Sequence, residues 1–241
     1  MSISDEPILT ALKQGSLSIQ GEFQWGSNYT FLTKVQHGAL DLQAVYKPTR
    51  GERPLWDFPP ASLARREAAA YLVSEALGWR LVPPTVYRRR GLLGPGSLQL
   101  FIEHDPEYHY FTFSEEDRHR LRPTALFDLL INNADRKGSH ILIDNEDHIW
   151  LIDHGVCFHE EDKLRTVIWD FAGGSSPQEL RADLIHFAEE LAAGTPLFDD
   201  LKTYLSLVEL RALKERAEIL AVEGHFPNPN ASRRFQPWPP I

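Results

Sequence analysis

The chain of 241 residues has a single cysteine, Cys157, so no internal disulfide can form and a reducing, cytoplasmic setting is expected. With no helix N-terminus or base implied beside it, Cys157 reads as a buried structural thiol. Apolar runs never approach the ~20 residues needed to cross a bilayer, so no transmembrane segment is expected. The N-terminal stretch Met1–Gln14 lacks the basic start and apolar centre of a signal peptide. Positive charge is also in deficit: 25 Lys and Arg stand against 34 Asp and Glu, for a net charge of -9. That balance excludes a general binder of nucleic acid or anionic membrane, both of which need a positive surface. Two short basic runs, Arg88 to Arg90 and Arg118, His119, Arg120 and Arg122, read as solvated faces. Internal repeats are absent.

What is present is apolar patterning of two kinds. The first hundred residues read mainly as strands. Leu17–Trp25 and Tyr29–Gln36 flank a Gly26-Ser27-Asn28 turn, and Asp41–Lys47 follows, with Leu42, Ala44 and Tyr46 alternating against polar neighbours. A Pro- and Gly-rich loop, Pro48–Pro60, ends that strand. Leu63–Leu77 has helical periodicity through Leu63, Ala70, Val73 and Leu77, with Gly78 placed to stop it. Thr85–Arg89 and Ser97–Ile102 are two further strands. Beyond Glu103 the pattern predicts a helix over Thr124–Ile131 and a polar loop over Asn132–Ser139. Short strands at Ile141–Ile143 and Ile149–Ile152 follow, then helices over Pro177–Ala193 and Leu207–Val222, the last capped by Ser206. The tail from Phe226 holds five prolines and reads as extended chain packed on the body. The fold expected is α+β.

Chemistry is concentrated in an ordered series. Lys47 ends an apolar strand, and a carboxylate from Glu67, inside the next helix, can pair with it and leave ammonium protons for phosphate oxygens. The amides of Gly26, Ser27 and Asn28 can approach a phosphate closely. Asp135 lies in the polar loop before a short hairpin, and Asp153 lies at that hairpin's far end. The hairpin brings both to one edge, where one can hold a divalent metal and the other accept a proton or orient a nucleophile.

This ordered set resembles the protein-kinase-like superfamily, and within it the phosphatidylinositol 3-/4-kinase-like branch with its short bacterial members. The resemblance covers roughly residues 20–175 and rests on Asp135-Arg136-Lys137-Gly138-Ser139-His140-Ile141-Leu142 and Ile152-Asp153-His154-Gly155. It implies a bilobal kinase-like fold, with residues 1–102 as the smaller, β-rich lobe and 103–241 as the mostly helical one. It implies ATP with Mg²⁺ or Mn²⁺ as cofactors, Asp135 as the catalytic-loop aspartate and Lys137 as a contact to the transferred phosphate. Asp153 would hold the metal, Lys47 and Glu67 would form the phosphate-binding pair, and Gln99, Phe101 and Glu103 would belong to the hinge that reads adenine. His140 stands where the superfamily has an asparagine that serves as second metal ligand. His154 replaces a phenylalanine. Imidazole suits softer ions than Mg²⁺.

The implied activity is transfer of the ATP γ-phosphate to a hydroxyl of a protein, a small molecule or an inositol lipid. Two other readings compete. One is a pseudokinase that binds ATP without turnover. The other is a metallohydrolase built on His140, His148, His154 and His159 with Asp153, although their spacing matches no zinc signature.

Overall fold

A computed structural model describes residues 5–23 and 29–241. The Gly26-Ser27-Asn28 turn lies outside the described residues. Three strands, β1 (Ser16–Glu22), β2 (Phe31–His37) and β3 (Leu40–Pro48), run antiparallel, and β4 (Thr85–Gly91) and β5 (Gly94–Leu100) complete the sheet in the order β1-β2-β3-β5-β4. The alternation expected in β3 is present: Ala44 and Tyr46 are fully buried, while Asp41 and Gln43 are exposed. Tyr46 and Lys47 pair with Leu98 and Ser97 of β5. The Tyr46 hydroxyl donates to the carbonyl of Gly94 (2.6 Å), so the β4–β5 turn is held over the middle strand.

A helix that the strand-dominated reading of this region left out, α1 (Glu6–Gln14), covers the face of the sheet that carries Tyr46. Its Ala11 and Leu12 join Val35, Ala44, Val86 and Leu98 in a small core. Nine residues with one short apolar stripe give a weak periodic signal, and the sheet supplies the packing that stabilises the helix.

Between the sheet and the rest of the chain sits α2 (Leu63–Ala76). It is buried far beyond the single face that its periodicity suggests, and Arg66 and Glu67 lie inside with the apolar residues. Ala68, Ala69 and Ala70 let neighbours approach closely, and both charged side chains have partners. Arg66 pairs with Glu209 and donates to the carbonyl of Cys157 (2.6 Å). Cys157 is fully buried, as a structural thiol should be.

The helical part contains α3 (Glu115–His119), α4 (Arg122–Ile131), a hairpin of β6 (Ile141–Ile143) and β7 (Ile149–Leu151), α5 (Gln178–Glu190), α6 (Pro196–Leu201) and α7 (Leu207–Glu223). Leu126, Phe127, Leu184, Phe187 and Leu213 lie at the centre of its core. Ser206 caps α7, accepting from the Glu209 amide while Glu209 returns the bond to the Ser206 amide. The second basic run is structural: Arg120 pairs with Asp117 and Asp147, and Arg118 and Arg122 donate to carbonyls. The tail folds back, with the carbonyls of Phe235 and Pro240 accepting from the amides of Thr166 and Gly138. Among the described residues no helix is long and apolar enough to cross a membrane.

The buried Arg66–Glu209 pair joins two helices 143 residues apart in sequence. Arg66→Met should lower unfolding stability by about 3–5 kcal/mol, because Glu209 is left buried and unpaired. The double variant Arg66→Met/Glu209→Leu should lie closer to wild type than the single one, and urea denaturation of both reads the difference.

Candidate active site

Lys47 leaves β3 on the face opposite Tyr46 and enters the cleft between the sheet and the helical part. Its ammonium donates to Glu67 Oε1 (2.5 Å) and to Asp153 Oδ1 (3.1 Å). Burial pushes its pKa down, but the Asp153 and Glu67 carboxylates outweigh burial and hold its pKa above the usual lysine value. The other oxygen of Glu67 accepts the backbone N–H of His154 (2.9 Å). One carboxylate therefore ties β3, α2 and the Asp153-His154-Gly155 turn together.

At Asp153 the backbone takes φ +63°, a left-handed conformation that is costly for a residue with a side chain. In that conformation the carboxylate meets Lys47 while the next amide meets Glu67. The Lys47 charge holds Asp153 well below the usual carboxylate range, against the effect of burial. Its side chain keeps half of its surface exposed, open to the cleft. Gly155 lets α2 come close, since an added Cβ would stand 3.3 Å from that of Leu63.

His140 closes the loop from Asp135. Its backbone carbonyl accepts from the Ile152 amide (3.0 Å), which holds the two ends of the hairpin side by side. Burial pushes its imidazole pKa down to about 4, so the ring is neutral at pH 7. Nδ1 lies 3.4 Å from the Lys137 amide and accepts from it, which puts the ring proton on Nε2, 3.4 Å from Asp153 Oδ2. In this arrangement Nε2 carries the ring proton, whereas a metal ligand presents a lone pair.

Arg136 was legible only as a letter between Asp135 and Lys137, yet it is fully buried and organises the loop. Its Nε donates to both oxygens of Asp128 (3.0 and 3.2 Å), and Nη1 donates to the carbonyl of Ile152 (2.8 Å). Nη2 lies 2.8 Å from His154 Nε2. A guanidinium can only donate, so His154 carries its proton on Nδ1, 3.9 Å from Glu67 Oε2. Asp128 also accepts from Asn133 and Thr166, which satisfies a carboxylate with no contact to water.

Asp135 follows Asn133, whose side-chain oxygen accepts the Asp135 amide (3.0 Å). Burial raises its carboxyl pKa to about 6, with Lys137 opposing the rise and Asp153 adding to it. Lys137 Nζ stands 3.5 Å from Asp135 Oδ2. Of the residues expected at a hinge, Gln99 turns inward to Thr85 (2.9 Å), and the Phe101 amide donates to the carbonyl of Gln43 (3.0 Å). Residues 101–103 belong to no helix or strand and lead to an isolated bridge between His104 and Asp144.

The histidines do not gather. His148 binds the carbonyl of Arg80, His159 packs on Phe58, and among the described residues no group of three His, Cys, Asp or Glu side chains is placed to hold a metal. A divalent cation shared with phosphate oxygens needs only one or two carboxylates, and the half-exposed Asp153 fits that need.

No model of a known protein family matches the chain. Protein Rv2133c of Mycobacterium tuberculosis is 39% identical over 263 aligned positions, spanning 95% of this chain and 93% of that protein, and the chain belongs to its family. Phosphatidylinositol 4-kinase gamma 4 of rice (Oryza sativa subsp. japonica) is 32% identical over 180 positions, 60% of this chain and 32% of that kinase. Among solved structures, the Golgi casein kinase with Mn/ADP bound superposes with a TM-score of 0.57 at 15% identity, over 94% of this chain and 80% of that one. The Helicobacter pylori proinflammatory kinase CtkA superposes with a TM-score of 0.53 at 10% identity, over 89% of this chain and 94% of that one. The fold is thus the bilobal, α+β kinase-like fold.

Arg136→Met would leave Asp128 buried without its counter-charge. The expected loss is about 3–5 kcal/mol in unfolding stability, readable by chemical denaturation. The same variant should broaden backbone NMR signals from residues 152–155, which Arg136 holds.

Proposed function

We propose that this member of the Rv2133c family binds ATP with a divalent cation in the cleft and transfers the γ-phosphate to a hydroxyl acceptor. The observation that carries the reading is the Lys47–Glu67–Asp153 arrangement: a charged lysine fixed between two carboxylates, on a kinase-like fold. Lys47 would give its remaining ammonium proton to phosphate oxygens, held in place by Glu67. Asp153 would take the cation, Mg²⁺ or Mn²⁺, whose charge offsets that building up on the phosphates. His140 stands 3.4 Å from the Asp153 carboxylate and would ligate the cation itself only after its ring proton moved to Nδ1. Adenine would lie against the chain at 99–103, where Gln99, Phe101 and Glu103 belong, and the amides of Gly26, Ser27 and Asn28 would cover the phosphates. The smaller lobe would end near Ile102. The phosphatidylinositol 3-/4-kinase-like branch is our proposed placement within the kinase-like superfamily, motivated by the Asp135–Leu142 and Ile152–Gly155 motifs.

In the transfer step the acceptor oxygen attacks the γ-phosphorus and its proton passes to the Asp135 carboxylate. The bond from the γ-phosphorus to the β,γ-bridging oxygen breaks, and ADP leaves. Lys137, beside Asp135, would hold the transferred group. A second reading, a pseudokinase, draws on one observation: where the superfamily has a second metal ligand, the chain has an imidazole whose Nδ1 lone pair is taken by the Lys137 amide.

Calorimetry and a turnover assay test these roles together. Lys47→Met should weaken ATP binding by about 1–3 kcal/mol, the worth of a charged hydrogen bond. Asp153→Asn should abolish metal-dependent nucleotide binding. Asp135→Asn should keep nucleotide binding and stop transfer. Equal loss of metal–ATP binding in both aspartate variants would refute the division of roles, and ATP binding without turnover in wild type would establish the pseudokinase.

A base whose pKa is raised to about 6 is ionised above that pH and protonated below it. Turnover should therefore hold steady near pH 7.5 and fall about tenfold per unit below pH 6. A pH–rate profile with its acid limb near the ordinary aspartate value, about 4, would remove Asp135 from the step.

A further inference from the structure

A cavity of about 270 Å³ opens beside Asp135, between the start of α2, the loop at 53–58 and the segment at 156–165. Its inner wall is apolar, formed by Phe58, Leu63 and Val156, with Phe58 and Leu63 buried. Its rim is different. Arg53 and Arg165 both line it, and Trp56 lines it too while keeping 91% of its surface exposed. Such exposure is unusual for the largest aromatic side chain, and here it coincides with a cavity.

The charges around the rim differ in their partners. Asp57 lines the cavity but pairs with Lys163 (3.8 Å), which also pairs with Glu161 (3.0 Å) and sets its ammonium 5.0 Å from the centre of the Trp56 ring. The Arg165 guanidinium makes no hydrogen bond or ion pair with a described side chain, and its charge reaches Asp135. Four charged residues line the cavity, Arg53 and Arg165 against Asp57 and Asp135, so what sets the rim apart is the Arg165 guanidinium lining the same cavity as an open indole. Guanidinium groups bind carboxylate and phosphate in a fork, and an open indole face stacks on planar rings and attracts cations alongside.

We propose that this cavity is the acceptor site, and that the acceptor is a small hydroxyl compound carrying both a planar ring and an anionic group, phosphate or carboxylate. The ring lies on Trp56, the anion meets Arg165, and the apolar wall excludes water around the hydroxyl at Asp135. The volume falls just under the usual range of ligand pockets, about 300–1,000 Å³, which favours a compact molecule over an extended peptide. The assignment of the hydroxyl to Asp135 rests on the phosphotransferase reading, whereas the recognition of a planar anion does not.

Phenyl phosphate is a probe of both features, with phenol and inorganic phosphate as its halves. Calorimetry should show phenyl phosphate binding wild type about tenfold or more tightly than either half, and Trp56→Ala or Arg165→Gln should each weaken it by about tenfold or more. Trp56 is so exposed that its loss leaves the fold intact, and an unchanged melting temperature verifies this. Binding should persist in Lys47→Met and in the presence of a non-hydrolysable ATP analogue. Equal affinity in the Trp56 and Arg165 variants, no preference over the two halves, or displacement by the ATP analogue would each overturn the site. If wild type binds phenyl phosphate in this way but transfers phosphate to no alcohol, the planar-anion site stands and the phosphotransferase reading falls.

Discussion

Glu67 is a buried carboxylate whose two oxygens face different segments, and the arrangement of the cleft follows from that division. One oxygen holds the ammonium of Lys47 on β3, and the other holds the amide of His154 beyond β7. Ionised carboxylates are costly to bury without partners, so the helix, the strand and the turn have little freedom to move apart. The left-handed backbone at Asp153 belongs to the same constraint. It turns one residue's side chain and the next residue's amide towards two sides of a single ion pair.

Behind this lies a second buried charge system with no contact to water. Arg136 links Asp128 on α4, the carbonyl of Ile152 and the ring of His154, so the loop carrying Asp135 and the turn carrying Asp153 share one support. A third pair, Arg66 with Glu209, anchors α2 to α7. The cleft residues are thus positioned by charges that never face a ligand. Solvent is left to Asp153, which is half exposed, and to the cavity at Asp135. Such placement suits a site that must be rigid in its frame and open where a phosphate or an acceptor would enter.

Much of this frame was legible in the residues. The strand period through Leu42, Ala44 and Tyr46, the helical period from Leu63, the Ser206 cap and the short hairpin flanking Asp144–Asp147 all depend on local spacing, and all are present. Lys47 and Glu67 could be paired in advance because a lysine at a strand end and a glutamate in the next helix imply a short list of contacts. The helices α1, α3 and α6 were not legible. They have nine, five and six residues, too few to show a period or to be stable alone, and packing and capping by their neighbours decide them. Arg136 was read as part of a motif and not as a support, because nothing local marks which arginine will be buried.

The chain's own order of residues determined the α+β class and the succession of Lys47 at a strand end, Glu67 in the next helix and Asp135 and Asp153 about a hairpin, a succession that resembles the kinase-like superfamily. These follow from periodicity and from residue type, which are properties of neighbours in sequence. Only tertiary structure decided that α2 is buried on more than one face, which nitrogen of His154 carries the proton, and which residues surround Asp135. Each of those depends on partners many residues away, such as Asp128, Ile152, Arg165 and Trp56, brought together by packing rather than by spacing.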